Sequence, residues 1–331
     1  MAATAPRGRA ERPAVGAIVV THHPSPDRLR AVLAALAAQA DGVFVVDNSA
    51  DAGTEEALAS LCRDCGAALL PQAANRGLAA GFNAGLRAVR AAGFTHALLM
   101  DQDSLPQDGM VGRLLRTLLA ENARGDVAAI GPGYFDRRGV VPASFARVGF
   151  PGNHASAPRE PGGSVFDTDY LISSGCLLPL AALDSVGELD EALFIDNIDM
   201  EWCFRARARG LRLLGEGSAL LEHELGDGRV RLPFGRVAIV HAPQRLYYIM
   251  RNRVLLYWMP HVPWRWKAQD VLRLPAKFAI FALLTAPRRA NARHMLLGIW
   301  HGLLRRTGPL VPARRARPGD EEALVRPESS A

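Results

Sequence analysis

The run VGAIVVTHHPSPDRLRAVLAALAAQADGVFVVDNSA, Val15–Ala50, decides the fold class. Its opening, VGAIVVTHH, is a short β-branched stretch without polar alternation, the pattern of a parallel strand buried on both faces. SPDRLRAVLAALAAQA then changes to helical periodicity, with Ser25 placed to cap and Pro26 in the first turn. GVFVVDNSA is a second strand of the first kind. The unit repeats downstream: Thr54–Cys65 reads as a helix, AALLPQAA as a short strand, NRGLAAGFNAGLRAVRAAG as a helix, HALLMDQD as a fourth strand and MVGRLLRTLLAEN as a helix before VAAIGPG. Alternation this regular makes an α/β fold, a doubly wound, mostly parallel sheet with helices on both faces.

The chain has 331 residues, 49% of them hydrophobic, enough for one large α/β domain or one domain with an appendage. No apolar run reaches the roughly 18 residues of a membrane span, and the N-terminus lacks a signal-peptide core, so a cytoplasmic location is expected. Four cysteines are too few for a disulfide framework, and the CxxC of Cys62 and Cys65 falls in a helix with no second ligand pair, which favours an incidental role. The net charge of +6 is uneven: from Arg245 onward there are 16 Lys and Arg against 5 Asp and Glu, whereas the first 244 residues hold 23 against 28. A basic end of this kind points to an anionic partner, membrane phospholipid or nucleic acid, or to a solvated charged surface.

Sheets of this class bind ligands outside the carboxyl ends of their strands, and there the polar residues gather: Thr21 and His22, Asp47 and Asn48, Asp101 and Asp103. The first strand-to-helix turn, THHPSPD, has no glycine, and no GxxxxGK[ST] occurs, so both familiar phosphate loops are excluded. Asp101 and Asp103 flank one residue and can share a divalent cation that neutralises a diphosphate; either can also simply cap a helix. Gly77, Gly81 and Gly85 recur every four residues along one helical face, which indicates close approach of a ligand or tight helix-on-sheet packing. Asn75, Arg76 and Asn83 add polar groups near that helix start. Further on, Asp196, Asp199 and Glu201 crowd ahead of a helix, where mutual repulsion would raise one pKa into the range of a general base; helix capping is the plainer alternative. His223 follows another apolar run and is a candidate metal ligand.

IVVTHHP, FVVDNS, NRGLAAGFNAGL, LLMDQDSLP, YLISSGCLL, GELDEALFIDNIDMEWCFRARARG, LEHELGD and RLYYIMRNRVLL, in this order from Ile18 to Leu256, together resemble the rhamnosyltransferase branch of glycosyltransferase family 2, inverting enzymes of GT-A fold. The resemblance implies that Thr21 and Asp47 contact the base and sugar of the nucleotide and that Asn75 and Gly77 line the donor pocket, with Asn83 and Asp101 on the same donor side. Asp101, Asp103 and His223 would hold Mn2+ or Mg2+. Asp199 matches the catalytic base, and Asp196, Glu201 and Trp202 would shape the acceptor side. Two positions depart from the family pattern: Ile198 precedes the base where an acid is common, and His22–His23 replaces Tyr-Asn after the first strand.

The expected organisation is a flexible leader (1–14), a catalytic domain (15–256) with a nucleotide-sugar half (15–135) and an acceptor half (136–256), a basic amphipathic helical region (257–312) and a disordered tail (313–331). The helical region interleaves Trp, Leu and Phe with Arg and Lys, as in helices lying in a membrane interface. It could also pack on the catalytic domain. The expected partners are a nucleotide-sugar donor, favouring a dTDP-sugar, a saccharide or lipid-linked acceptor, and the inner face of the cytoplasmic membrane, with no nucleic acid; a homo-oligomer is compatible with the sequence. Two other readings are another sugar-nucleotide donor and an inactive membrane-associated nucleotide-sugar-binding scaffold. A nucleotidyltransferase would need a Gly/Arg/Lys-rich phosphate loop that THHPSPD lacks.

Overall fold

The structure, a computed structural model, describes residues 12–136, 145–223, 228–231 and 237–310. The tail expected at 313–331 and most of the leader expected at 1–14 lie outside the described residues. The chain begins β1 (Val15–Thr21), α1 (Pro26–Ala37), β2 (Gly42–Asp47), α2 (Ala52–Cys65), β3 (Ala68–Pro71), α3 (Leu78–Ala91) and β4 (His96–Asp101). There follow β5 (Leu105–Pro106), α4 (Met110–Glu121), β6 (Val127–Phe135), β7 (Ala146–Arg147), β8 (His154–Ala155), β9 (Val165–Thr168), β10 (Cys176–Pro179), α5 (Ala182–Val186) and α6 (Ile198–Ala208). The last elements are β11 (Arg212–Glu222), β12 (Gly228–Arg231), β13 (Val237–Val240), α7 (Pro243–Trp258), α8 (Trp264–Ala279) and α9 (Arg288–Leu303).

The main sheet runs β3-β2-β1-β4-β10-β6-β11-β5, with β9 also paired to β11. The β3-β2-β1-β4 half is wholly parallel, as the βαβ repeats require. In the other half β10 runs against both β4 and β6, while β6 and β11 are parallel. Register sets the functional edge: Thr21 pairs with Asp47, and Val20 with Asp101, so the three polar strand ends lie side by side.

Alternation in β1 feeds two cores. Val15, Ala17 and Val19 pack with Leu29 and Leu33 of α1 and Leu58 of α2, whereas Ile18 and Val20 pack with Phe82, Leu86 and Val89 of α3. The glycines of α3 serve that second contact. A Cβ on Gly81 would stand 2.7 Å from Val20 Cγ1, and one on Gly85 would overlap Ile18 Cγ2. Gly77 lies outside the helix, as its N-cap, at φ +91°, where a Cβ would meet the Phe194 ring at 2.6 Å. Ser25 occupies the N-cap of α1 without a side-chain bond, whereas Asp51 caps α2 through Thr54 N at 2.9 Å and starts it two residues before the expected Thr54. Cys62 and Cys65 lie in α2, and burial pushes the Cys62 thiol up to about 11, which leaves it unreactive.

The C-terminal helices are not a separate layer. Val262 and Trp266 are buried in the same cluster as α3 and α6, and α9 lies on α7, with Gly302 so close that a Cβ would meet Val254 Cβ at 2.6 Å. Trp258, Trp264, Val271, Leu272, Leu283, Leu296, Trp300 and Leu303 nevertheless remain exposed. Among the described residues no helix is long and apolar enough to cross a membrane.

Candidate active site

At the β1 and β2 ends, Asp47 Oδ1 accepts three hydrogen bonds, from Thr21 Oγ1 at 2.9 Å, Ser49 Oγ at 2.7 Å and Ser49 N at 3.1 Å. The bonds fix a buried carboxylate at the mouth of the sheet. Beside it, Asn48 Nδ2 donates to Gly77 O at 3.0 Å, while Asn48 Oδ1 is a buried acceptor with no partner among the described residues. Asn75 Oδ1 accepts from Gly77 N at 2.9 Å and so shapes the turn into α3.

The β4 end is held open by the residue between its two acids. Gln102 Oε1 accepts from His22 N at 2.8 Å, tying β4 to β1, and Arg28 Nη2 donates to Asp103 O at 2.8 Å. Strand β11 returns along β6 and pairs with β5, which brings His223 to the same corner. His223 Nδ1 lies 2.7 Å from Ser104 Oγ and 3.8 Å from Asp101 Oδ2. Burial, and after it the Asp103 charge, pushes Asp101 up to about 7, and burial pulls His223 below the usual imidazole range.

Asp199 stands in the first turn of α6, which faces this edge. Its Oδ1 accepts from Met200 N at 2.7 Å and its Oδ2 from Ser173 N at 3.3 Å. Burial pushes it up to about 6 against those two bonds, and the charges of Asp196 and Asp101 push the same way. Crowding by Asp196 is therefore the lesser cause, and Glu201 takes no part. Glu201 is turned into the protein, paired with Arg205 Nη2 at 2.8 Å and His261 Nε2 at 2.8 Å. Burial raises it, but His261 and Arg205 more than offset that and hold it below the usual range.

Of the two residues expected at the acceptor side, Glu201 is thus turned inward, while Trp202 is buried with its Nε1 donating to Gly187 O at 2.8 Å and lines a small cavity together with Asp199 and Ser173. Asn83, expected beside the donor, is also internal. Its Nδ2 donates to Leu189 O and Glu191 Oε1, both at 3.0 Å, and its Oδ1 accepts from Leu189 N. A buried side chain with both amide N–H groups committed inside the fold has no donor left for a nucleotide.

The residues that sequence reading passed over lie on α7. The loop ahead of Asp199 is strained, with Phe194 at φ +66° and Asp196 and Asn197 at +63°. Asn252, fully buried, holds it by donating Nδ2 to Leu193 O at 2.9 Å, Ile195 O at 2.7 Å and Asp196 O at 2.8 Å. Arg251, equally buried, donates Nη2 to Leu193 O at 2.8 Å and Nη1 to Gly308 O, and its Nε is fixed by Asn252 Oδ1 at 3.0 Å. Tyr248 stacks on Phe194 with centroids 5.0 Å apart, and Arg245 pairs with Asp196 at 3.2 Å. The signal was present in RLYYIMRNRVLL as a buried-charge anomaly, an Arg-Asn pair on an otherwise apolar helix face.

Residues 17–175 match the family described as Glycosyl transferase family 2. The dTDP-rhamnosyl transferase RfbF of Shigella flexneri is 30% identical over 247 residues, 75% of this chain and 81% of that protein. Among solved structures, GalNAc-T7 with UDP, GalNAc and Mn2+ superposes with a TM-score of 0.55 at 11% identity, over 89% of this chain and only 57% of that one. The mannosyltransferase PcManGT of Pyrobaculum calidifontis, in complex with GDP-Man and Mn2+, gives 0.53 at 15% identity over 89% and 88%. At such identities the superpositions establish the GT-A-type fold and nothing finer.

Proposed function

This chain belongs to glycosyl transferase family 2, and we propose that it is an inverting, metal-dependent enzyme that moves L-rhamnose from dTDP-L-rhamnose onto a polysaccharide or lipid-linked saccharide of the cell surface. The choice of donor draws on the identity to the Shigella dTDP-rhamnosyl transferase. The choice of reaction draws on Asp199. Its carboxylate is half-buried, fixed by two backbone N–H groups and pushed up to about 6 by desolvation, so it is mostly ionised near neutral pH yet basic enough to take a proton.

In the proposed reaction an acceptor hydroxyl oxygen attacks the anomeric carbon from the face opposite the nucleotide. Its proton passes to Asp199, and the bond from that carbon to the diphosphate oxygen breaks. Asp47, oriented by Thr21 and Ser49, meets the base and sugar of the nucleotide, and Asn75 and Gly77 form the wall beside it. Asn48 Oδ1, buried next to them without a partner among the described residues, is a further acceptor on that side.

Asp101 and Asp103 fit a divalent cation: burial and their mutual repulsion raise Asp101 to about 7, a penalty that a cation reverses. His223, 3.8 Å from Asp101, adds a nitrogen on the same corner. Among the described residues no group of three His, Cys, Asp or Glu side chains is placed to hold a metal ion, so Asp101, Asp103 and His223 do not form a complete cage by themselves. Mn2+ or Mg2+ bound there supplies neutralisation of the leaving diphosphate.

The exposed Trp258, Trp264, Leu272, Leu283, Leu296 and Trp300, set among Arg265, Arg273, Arg288 and Arg293, support a bilayer contact for α8 and α9, where apolar insertion and basic attraction to anionic lipid act together. Flotation with phosphatidylglycerol vesicles tests this, and equal flotation of a Trp264→Ser/Trp300→Ser variant counts against it. The reaction is tested by incubation with Mn2+ and a panel of dTDP-, UDP- and GDP-sugars, read as slow release of nucleoside diphosphate without acceptor. Fastest release from dTDP-rhamnose supports the donor, preferential release from another sugar replaces it, and release from none of them contradicts transfer.

A further inference from the structure

Asp270, Arg273 and Lys277 are spaced i, i+3 and i+7 along α8 and therefore share one face. Asp270 is buried and receives Arg253 Nη1 and the Tyr257 hydroxyl at 2.7 Å, with Lys277 Nζ 4.0 Å from its Oδ1. Arg273 donates Nη2 only to a backbone oxygen, Pro151 O at 3.3 Å. Two cations thus meet on one carboxylate, and the Arg273 charge acts on Lys277 from the same helix face. Arg253 Nε is in addition buried with no partner among the described residues. Burial first, and then the Arg253 and Arg273 charges, pulls the Lys277 ammonium down to about 8, so Asp270 does not compensate it. An ion network that merely joined α8 to α7 would balance its charges; here Arg253 and Lys277, partly withdrawn from water, share the single carboxylate of Asp270 with the exposed Arg273 beside them, and an anion would relieve the excess of positive charge.

The same face reaches the wall that carries Asp199. Gln269 Nε2 donates to Asn153 Oδ1 at 2.7 Å, and Asn153 Nδ2 donates to the Tyr170 hydroxyl at 3.0 Å. Tyr170 begins the segment that ends at Ser173, whose N–H holds Asp199 Oδ2. On the outer side of α8, Val271 and Leu272 are exposed apolar residues. The patch therefore lies between the proposed base and an apolar surface.

We propose that Arg253, Arg273 and Lys277 seat a phosphate group carried by the acceptor, so that an acceptor saccharide joined through phosphate to a lipid presents its sugar to Asp199 and its chain to the exposed face of α8. The word acceptor rests on the transferase reading above; the phosphate seat does not.

Lys267 and Lys277 are the only two lysines in the sequence, so amine labelling reads the site cleanly. The full chain is labelled with a limiting amine-reactive ester, and the two lysine peptides are quantified by mass spectrometry while inorganic pyrophosphate is titrated at constant ionic strength. Pyrophosphate is expected to protect Lys277 and leave Lys267 unchanged, with dTDP giving no protection because it binds at the other carboxylate cluster. Arg273→Gln is expected to weaken the protection about tenfold, the effect of one charge-assisted hydrogen bond. Unchanged melting and dTDP binding of that exposed variant confirm that it is folded. Equal labelling of Lys277 with and without pyrophosphate overturns the seat. Protection by phosphatidylglycerol vesicles but not by pyrophosphate assigns the site to bilayer headgroups and overturns the acceptor assignment. Labelling needs no turnover, so this result stands whether or not rhamnose is the sugar moved.

Discussion

Asn252→Ala removes the two N–H donors that serve Leu193 O, Ile195 O and Asp196 O at 2.7 to 2.9 Å. Each such bond contributes about 1 kcal/mol net, and a buried carbonyl left bare costs about 1–3 kcal/mol. The loop they restrain contains three left-handed non-glycine residues, Phe194, Asp196 and Asn197, each held at a cost of about 1–2 kcal/mol. Once the restraint is gone, relaxing the backbone both lowers that strain and lets the carbonyls find water. The loop should therefore shift locally rather than unfold the domain. Asp199 lies three residues beyond Asp196, and a displacement of about 1 Å at a reacting group costs about 100-fold in rate. The expectation is kcat down about 100-fold with KM for the donor and dTDP affinity within about twofold. Initial rates, calorimetry of dTDP binding and thermal melting measure the three quantities separately. Asn252→Asp, which keeps the size but sets a carboxylate against three carbonyl oxygens, should lower kcat at least as far and lower the melting temperature as well. A variant with a lowered melting temperature but full kcat would refute the link between the α7 contacts and Asp199.

Other outcomes are fixed by single observations. Gly85→Ala drives a methyl into Ile18 at the centre of the sheet and should cost about 1–3 kcal/mol, read from denaturant midpoints. Glu201→Ala strands Arg205 and His261 and should destabilise by about 3–5 kcal/mol with dTDP affinity retained, whereas a residue at the acceptor would alter KM instead. Asp199 is raised to about 6, so kcat should fall as pH drops below that value. For stability the sign is opposite: Asp101 and Asp199 titrate higher folded than unfolded, so the folded state binds more protons between about pH 4 and 7 and their contribution declines as pH rises through 6 and 7. Denaturation at pH 5 and pH 8 without divalent ions should show this decline, and Mn2+ should offset it at pH 8.

The parallel half of the sheet was legible because each βαβ unit is local: a β-branched run, a helical period and another such run lie within about 35 residues. Strand polarity then places Thr21, Asp47 and Asp101 on one edge without further information. The antiparallel β10 was not legible, since CLLP has no alternation to give its direction and its partners lie far away in sequence. Glu201 was misplaced for a geometric reason. At about 100° per residue, Glu201 stands roughly 200° around α6 from Asp199, so when one faces the edge the other faces inward. Asn83 deceived in the same way, being a polar residue on the buried side of α3 whose partners lie more than a hundred residues later. Arg251 and Asn252 serve carbonyls nearly sixty residues upstream, a relation no local pattern reveals.

The most direct measurement compares single-turnover sugar transfer by the wild-type chain and Asp199→Asn at saturating dTDP-rhamnose and Mn2+, with dTDP binding followed by calorimetry on the same samples. Asparagine keeps the shape and one of the two backbone hydrogen bonds but cannot take the proton, so transfer should fall by about 100- to 10,000-fold with nucleotide affinity unchanged. Transfer within about twofold of wild type would place the base elsewhere and contradict the role given to Asp199.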